Sequence, residues 1–473
     1  MLDSINIPWW LLLLLIVGSA VALLDRLLWP GVRWFLRRRV NRVIDEVNTR
    51  LNIHIRPFQF TKRQVLIDRL SYDPRVMDAL RDYAQEKKIP REVAQAEVRR
   101  YAREIVPAFN AYAYFRIGYA LARKLAHALY RVRANFADPA RLANIDPRAT
   151  VVFVMNHRSN MDYVLTAFLA AEQSALSYAV GEWARIWPLQ QLIRAMGAYF
   201  VRRKSNNPLY RRVLERYVHM ATEEGVCQAV FPEGGLSRDG CLQAPRLGIF
   251  DYMLREHDPN GRRDIVFVPV GINYDRVLED RTLLRSLDKT VAKRSRWFVI
   301  RTTCGFVYRN LRLMLRSRWK RFGYAAVNFG PAVSVQAYCK ERDLDLRRLD
   351  TIQRHVEIDK IVQELMQSIA GLIPAAPLPI AVAALLHAEA AGQPGLSAAE
   401  WQAAFLDLTQ TLHQKRAYIV VPEPAHDHTF DSVVEMLRLR RFVREADGRY
   451  RSAPAAQEIL RYYANSLCVP GGR

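Results

Sequence analysis

Hydrophobic and polar positions divide the chain into stretches of different period. From Ile7 to Leu24 runs an uncharged stretch, I-P-W-W-L-L-L-L-L-I-V-G-S-A-V-A-L-L. It is about 18 residues long, just enough for a helix to cross a hydrocarbon core. Trp9 and Trp10 stand at one end and Trp29 beyond the other, where aromatic rings favour the interface. No Lys or Arg precedes the run, unlike a secretory signal peptide. Arg26, Arg33, Arg37, Arg38, Arg39 and Arg42 follow it. The asymmetry predicts a membrane anchor and basic juxtamembrane segment over residues 1–40, with the rest of the chain on the cytoplasmic side.

Residues 41–146 read as a helical domain. Arg91–Ile105 is dense in helix formers behind Pro90, and Ala111–Val132 carries an apolar stripe at near-helical spacing. From 147 the period changes: short β-branched runs (Thr150–Met155, Gln228–Phe231, Ile265–Val270, Ala325–Phe329) alternate with helical ones such as Met161–Ala171. This pattern predicts an α/β domain over 147–340, a mixed, mostly parallel sheet flanked by helices. In such folds the loops at the carboxyl ends of the strands carry the chemistry. A helical linker over 341–378 ends in I-P-A-A-P-L-P. Residues 379–473 then read as a mainly helical, winged-helix-like module. Its local signals are a Ser397/Glu400 capping box and an Asp447-Gly448 hairpin turn.

Charge narrows the partners. Lys and Arg outnumber Asp and Glu by 70 to 47, a net charge of +23, which favours anionic lipid or phosphate-bearing substrates. Nucleic acid is not expected, because the basic residues are spread through the chain rather than gathered on a recognition helix. Arg309–Arg321, basic with interleaved Leu, Met and Trp, fits either an anionic membrane surface or a solvated helix with one buried face. The five cysteines are scattered without metal-ligand pairing, the usage of a reducing compartment.

The chemistry begins at V-V-F-V-M-N-H-R-S-N-M-D-Y, where a strand ends near Met155 and His157 and Asp162 follow five residues apart. On a regular helix that spacing would separate them by about 140°. They meet if His157 sits in the turn and Asp162 in the first turn of the next helix. A carboxylate on one imidazole nitrogen fixes the tautomer and leaves the other free as a base. The competing reading is S-x-x-D capping by Ser159 and Asp162. Downstream come G-A-Y-F-V-R-R-K (Gly197–Lys204), F-P-E-G-G-L-S-R (Phe231–Arg238) and V-P-V-G-I-N-Y (Val268–Tyr274). Two glycines let backbone amides approach an anion, and Arg offers bidentate phosphate contacts.

In this order the four blocks resemble the bacterial membrane-bound glycerol-3-phosphate acyltransferases, a branch of the glycerolipid acyltransferase superfamily. Similarity extends from D-P-R-V (Asp73–Val76) to Y-Y-A-N-S (Tyr462–Ser466). The resemblance implies transfer of a fatty acyl group from acyl-CoA or acyl carrier protein to the 1-hydroxyl of glycerol-3-phosphate, at the inner membrane, without metal or cofactor. It implies His157 as the base and Asp162 as its partner. Arg202 or Arg203, Glu233, Ser237 and Arg238 are implied in binding the phosphorylated acceptor, with Gly234, Gly235 and Pro269 completing the candidate site. One departure is Leu236, where relatives often carry Arg. The rival acceptor is lysophosphatidate or another lysophospholipid. The rival class is a membrane-tethered binding protein whose tail touches nucleic acid or a protein. Deleting residues 1–28 is expected to move the protein from the membrane pellet toward the soluble fraction. Unchanged sedimentation would assign retention to other surfaces.

Overall fold

The computed structural model describes residues 61–467 apart from 111–113, 115–117, 171–175, 182–188, 203–204, 286–321 and 421–425. The expected membrane span and the basic stretch Arg309–Arg321 lie outside the described residues. Among the described residues no helix is long and apolar enough to cross a membrane.

Three helices lead in: α1 (Arg63–Ser71), α2 (Pro74–Lys87) and α3 (Arg91–Ile105). Asp73 caps α2 by accepting from the Arg75 and Val76 amides, with Pro74 at the first position, where no amide is needed. Val76, Leu80 and Ala84 on α2 and Ala94, Val98 and Ala102 on α3 are buried at four-residue spacing, one helical face each. Next comes α4 (Tyr119–Leu129). The apolar stripe predicts helix as far as Val132, but Tyr130 turns extended (φ −132°, ψ 159°) and Arg131–Phe136 forms strand β1. The reason is a partner 193 positions away: β1 runs parallel to Tyr324–Phe329 along the sheet edge, a tertiary pairing that overrides the local period.

The sheet then builds through α5 (Pro139–Ala143), β2 (Thr150–Met155), α6 (Met161–Ala170), β3 (Ser177–Gly181), α7 (Leu189–Ala195), β4 (Tyr199–Val201), α8 (Pro208–Glu223) and β5 (Gln228–Val230). It continues with α9 (Gly248–Leu254), β6 (Ile265–Tyr274), α10 (Asp280–Arg285), β7 (Tyr324–Phe329) and β8 (Val333–Ser334). The order is β1-β7-β6-β2-β5-β3-β4, with β8 on β6. Pairing is parallel except where β6 meets β7 and β8. Tyr199–Val201 is the strand at the far edge. Each face of the sheet carries its own buried cluster: Val152 and Val154 of β2 join α1–α3, α8 and α9, while Met155 joins the opposite side.

That opposite side is covered by the C-terminal part. After α11 (Val335–Glu341) and α12 (Thr351–Leu372) come α13 (Pro377–Ala390), α14 (Ala398–Gln414), α15 (His426–Leu439), the hairpin β9 (Val443–Ala446) and β10 (Arg449–Ser452), and α16 (Gln457–Ala464). The Ser397/Glu400 capping box forms in both directions, and Asp447 and Gly448 turn the hairpin with positive φ. Between α14 and α15 the described residues make one isolated bridge, Ile419 with Ala375. The module shares a core with the sheet, since buried residues of α13 to α16 pack in the same cluster as Val268, Val270 and Tyr274.

Asp275, just past β6, ties the two together. Its carboxylate accepts from the Tyr324 amide at 2.7 Å and the Leu378 amide at 2.8 Å. Burial pushes its carboxyl up to about 6. A raised folded-state value means the folded chain holds the proton more tightly than the unfolded one. The associated stability is present below about pH 4 and lost as pH rises through about 6. The thermal midpoint is therefore expected to fall between pH 4 and 7. Asp275→Asn should flatten that step while losing one of two acceptors, about 1–3 kcal/mol. Thermal unfolding of both proteins across that range checks it.

Candidate functional site

The turn between β2 and α6 is shaped by side chains that pair with backbone. Asn156 exchanges two bonds with Ile272 of β6: its Oδ1 accepts from the amide at 2.7 Å and its Nδ2 donates to the carbonyl at 2.9 Å. His157 follows, and its Nδ1 lies 2.9 Å from Asp162 Oδ2. The same oxygen accepts from the amides of Arg158 (2.7 Å) and Ser159 (3.0 Å). The other, Oδ1, accepts from the Tyr274 hydroxyl at 2.6 Å. Partner to the imidazole and cap of the turn are thus one carboxylate in two uses. With Nδ1–H donated to Asp162, the network assigns the free lone pair to Nε2. The ring is wedged, stacked on Phe231 at 4.1 Å between centroids and met edge-on by Tyr163 at 5.3 Å.

A second loop, Phe231 to Gln243, grips the first. Glu233 Oε1 accepts from the His157 amide at 2.7 Å and Oε2 from the Gln243 amide at 2.9 Å, while the Ser237 amide donates to the His157 carbonyl at 2.8 Å. Burial pushes the Glu233 carboxyl up to about 7. Both Glu233 oxygens thus face backbone donors of the two loops. Ser237 is also turned inward: its hydroxyl donates to the Cys241 carbonyl at 2.8 Å and accepts from the Gly240 amide at 3.1 Å.

Beside His157 opens a cavity of about 240 Å³, whose lining includes Tyr163, Val180, Phe231, Gly234, Arg202 and Arg246. Gly234 contributes by its conformation, φ +66°, a region that side chains avoid. Arg202 reaches the cavity with its guanidinium already committed, forked onto Glu104 at 2.7 and 2.6 Å. It also lies over the rings of Tyr101 and Tyr210 at 5.4 and 5.3 Å. Arg238 is exposed and outside the cavity lining, as is the half-buried Gly235. Arg203 lies outside the described residues. Pro269 is inside the sheet, where β6 passes from pairing with β8 at Phe267 to pairing with β7 at Val270, a handover that needs no amide.

Tyr274, Asn156, Glu279 and Arg158 were not singled out by the motif reading. Glu279 accepts from Ser159 Oγ at 2.7 Å and the Asn160 amide at 3.2 Å. Tyr274 and Asn156 stand inside the quoted blocks, so proximity to the motif was a signal, but no spacing tells that their partners are Asp162 and Ile272. Arg158 lies over the Tyr462 ring at 4.8 Å and donates to the Gly240 carbonyl, and Asn465 Nδ2 donates to the Asp239 carbonyl at 2.9 Å. The C-terminal helix therefore touches both loops of the site.

Removing the Tyr274 hydroxyl leaves Asp162 Oδ1 without its donor. A hydrogen bond to a charged group contributes about 1.5–3 kcal/mol. If part of that is felt by the imidazolium, Tyr274→Phe lowers kcat by roughly tenfold or more, with both Michaelis constants unchanged. Steady-state kinetics with each substrate varied in turn checks it.

An acyltransferase family model matches residues 139–273, and a model described as the glycerol-3-phosphate acyltransferase C-terminal region matches residues 310–468. The chain is similar to glycerol-3-phosphate acyltransferase of Pseudomonas entomophila, 32% identical over 59% of this chain and 33% of the relative. It is likewise similar to the Pseudomonas aeruginosa protein of that name, 29% identical over 65% of this chain and 37% of the relative. The matched region thus spans about a third of the length of these relatives. Among solved structures, the 1-acyl-sn-glycerophosphate acyltransferase of Thermotoga maritima aligns over 53% of this chain and 79% of its own at 17% identity, TM-score 0.29. An acyltransferase model and a model of the glycerol-3-phosphate acyltransferase C-terminal region thus match successive parts of the chain, each less than half of its length.

Proposed function

We propose that this protein transfers a fatty acyl group from acyl-CoA or acyl carrier protein to the 1-hydroxyl of glycerol-3-phosphate. The observation that carries the reading is the His157–Asp162 pair, 2.9 Å apart, at the wall of a cavity that also holds arginines. Nε2 of His157 takes the proton of the acceptor hydroxyl, and the oxygen attacks the thioester carbonyl. The tetrahedral adduct collapses, the C–S bond breaks, and the thiolate leaves with the proton returned by the imidazolium. Asp162 stabilises the imidazolium while it lasts. No step requires a cofactor. Anchoring by the N-terminal run at the inner membrane, with the site on the cytoplasmic face and anionic lipid nearby, completes the proposal and would deliver the product where acyl chains are wanted.

Purified protein given a fatty acyl-CoA is expected to acylate glycerol-3-phosphate. His157→Ala should abolish turnover, and Asp162→Asn should lower it by about 10³-fold or more, since a wrong tautomer costs that order in comparable dyads. Product from lysophosphatidate alone would reassign the acceptor. Undiminished turnover by His157→Ala would remove the base from this position.

A further inference from the structure

Among the described residues, three guanidinium groups and no carboxylate line the cavity beside His157: Arg202, Arg211 and Arg246. Their electrical states differ. Arg202 is neutralised from behind by the fork onto Glu104. Arg211 bonds the Ser205 carbonyl at 3.0 Å and Asn206 Oδ1 at 3.1 Å, both neutral acceptors, and among the described residues no carboxylate pairs with it. Arg246 is exposed and, among the described residues, its side chain makes no hydrogen bond or ion pair. Its backbone is nevertheless fixed, the amide donating to the Pro232 carbonyl at 2.9 Å. Its stem lies against Gly234, where an added Cβ would come within 2.8 Å of Arg246 Cδ. The glycine thus provides the groove in which this side chain crosses the cavity wall. Two uncompensated positive charges on one cavity match the charge of a phosphate monoester near neutral pH.

We propose that Arg246 and Arg211 form the phosphate subsite of the acceptor. The assignment deepens the acceptor reading above and rests on it for the identity of the substrate. It also bears on Leu236, where the resemblance leads one to expect Arg: that side chain is half-buried, packs on the same apolar cluster as Phe231 and is not among the residues that line the cavity. Arg246, ten residues on in the same loop, brings the charge to the wall that Leu236 cannot reach. A monoester with a small glycerol body places its far hydroxyl toward His157, while its dianion sits between the two arginines. A neutral polyol lacks the group these arginines hold.

The test uses the full-length protein. Arg246→Ala and Arg211→Ala are each expected to raise the Michaelis constant for glycerol-3-phosphate by about 10- to 100-fold, the loss of one charge-assisted bond. The constant for acyl-CoA should stay within about twofold, and Arg246→Lys should recover part of the loss. A second readout needs no turnover: inorganic phosphate should raise the thermal midpoint of His157→Ala protein and fail to raise that of His157→Ala carrying Arg246→Ala. Equal protection of both proteins, or equal rises in both Michaelis constants, would overturn the subsite while leaving the acceptor reading intact. Loss of phosphate protection in a protein that does not acylate glycerol-3-phosphate would support the subsite and sink the acceptor instead.

Discussion

Asp162 has no exposed surface, and a carboxylate in that position is tolerated only when its lone pairs are met by donors. Four donors meet it: His157 Nδ1, the Arg158 and Ser159 amides, and the Tyr274 hydroxyl. The two amides fix the path of the turn after β2, because both must point inward at one oxygen. The imidazole fixes the tautomer. The tyrosine requires β6 to run on to residue 274 before the chain departs. The five-residue spacing of His157 and Asp162 is therefore the length of a turn wrapped round one carboxylate.

From that point the bracing extends outward in two layers. Glu233 and the Ser237 amide hold the His157 backbone from its amide and its carbonyl sides, so the ring cannot shift without moving the second loop. The far turn of that loop is held in its own right. At Gly240, φ is +90° and an added Cβ would lie 2.0 Å from the Tyr462 carbonyl oxygen, a contact that admits glycine alone. Arg158, 3% exposed as a residue, fills the space between the loops and α16. The turn, the loop and the last helix form one packed body.

Legibility from the sequence followed the range of the interaction. Local devices could be read in place: the Ser397/Glu400 capping box, the Asp447-Gly448 turn and the strand ending at Met155 each depend on neighbours within a few residues. The pairing of His157 with Asp162 was accessible because both partners lie in one turn. What sequence did not give was set by distant partners. Arg131–Phe136 carries a pattern compatible with a helix end and becomes a strand because β7 offers it an edge. Glu233 and Arg202, which the resemblance implies in acceptor binding (Arg202 as an alternative to Arg203), bond the His157 and Gln243 amides and Glu104 respectively, partners that no spacing in the sequence announces. A carboxylate flanked by glycines looks alike in sequence whether it meets a ligand or a backbone amide. Arg246 escaped notice for the converse reason: it lies outside the four blocks and enters the cavity through the space beside Gly234.

The same long-range bonds bear on whether the C-terminal part is a separable appendage. Asn273, at the end of β6, donates to the Pro374 carbonyl at 2.9 Å and the Ser466 hydroxyl at 3.1 Å. Asp280 Oδ2 accepts from Arg440 and from the Tyr463 hydroxyl, each at 2.6 Å, and the Tyr463 oxygen accepts from the Val277 amide at 3.1 Å. These groups are buried or nearly so, and parting the module from the sheet would strand them as well as expose the shared apolar core. Interfaces between mobile domains are ordinarily more polar and less deeply interlocked than this. Since Tyr274, one residue past Asn273, is the donor to Asp162, the strand end that the module holds in place is also the one that completes the donor set of the buried carboxylate beside His157. The C-terminal part therefore serves here as a wall of the sheet domain, and its last helix reaches the site through the backbone of the loop that holds His157.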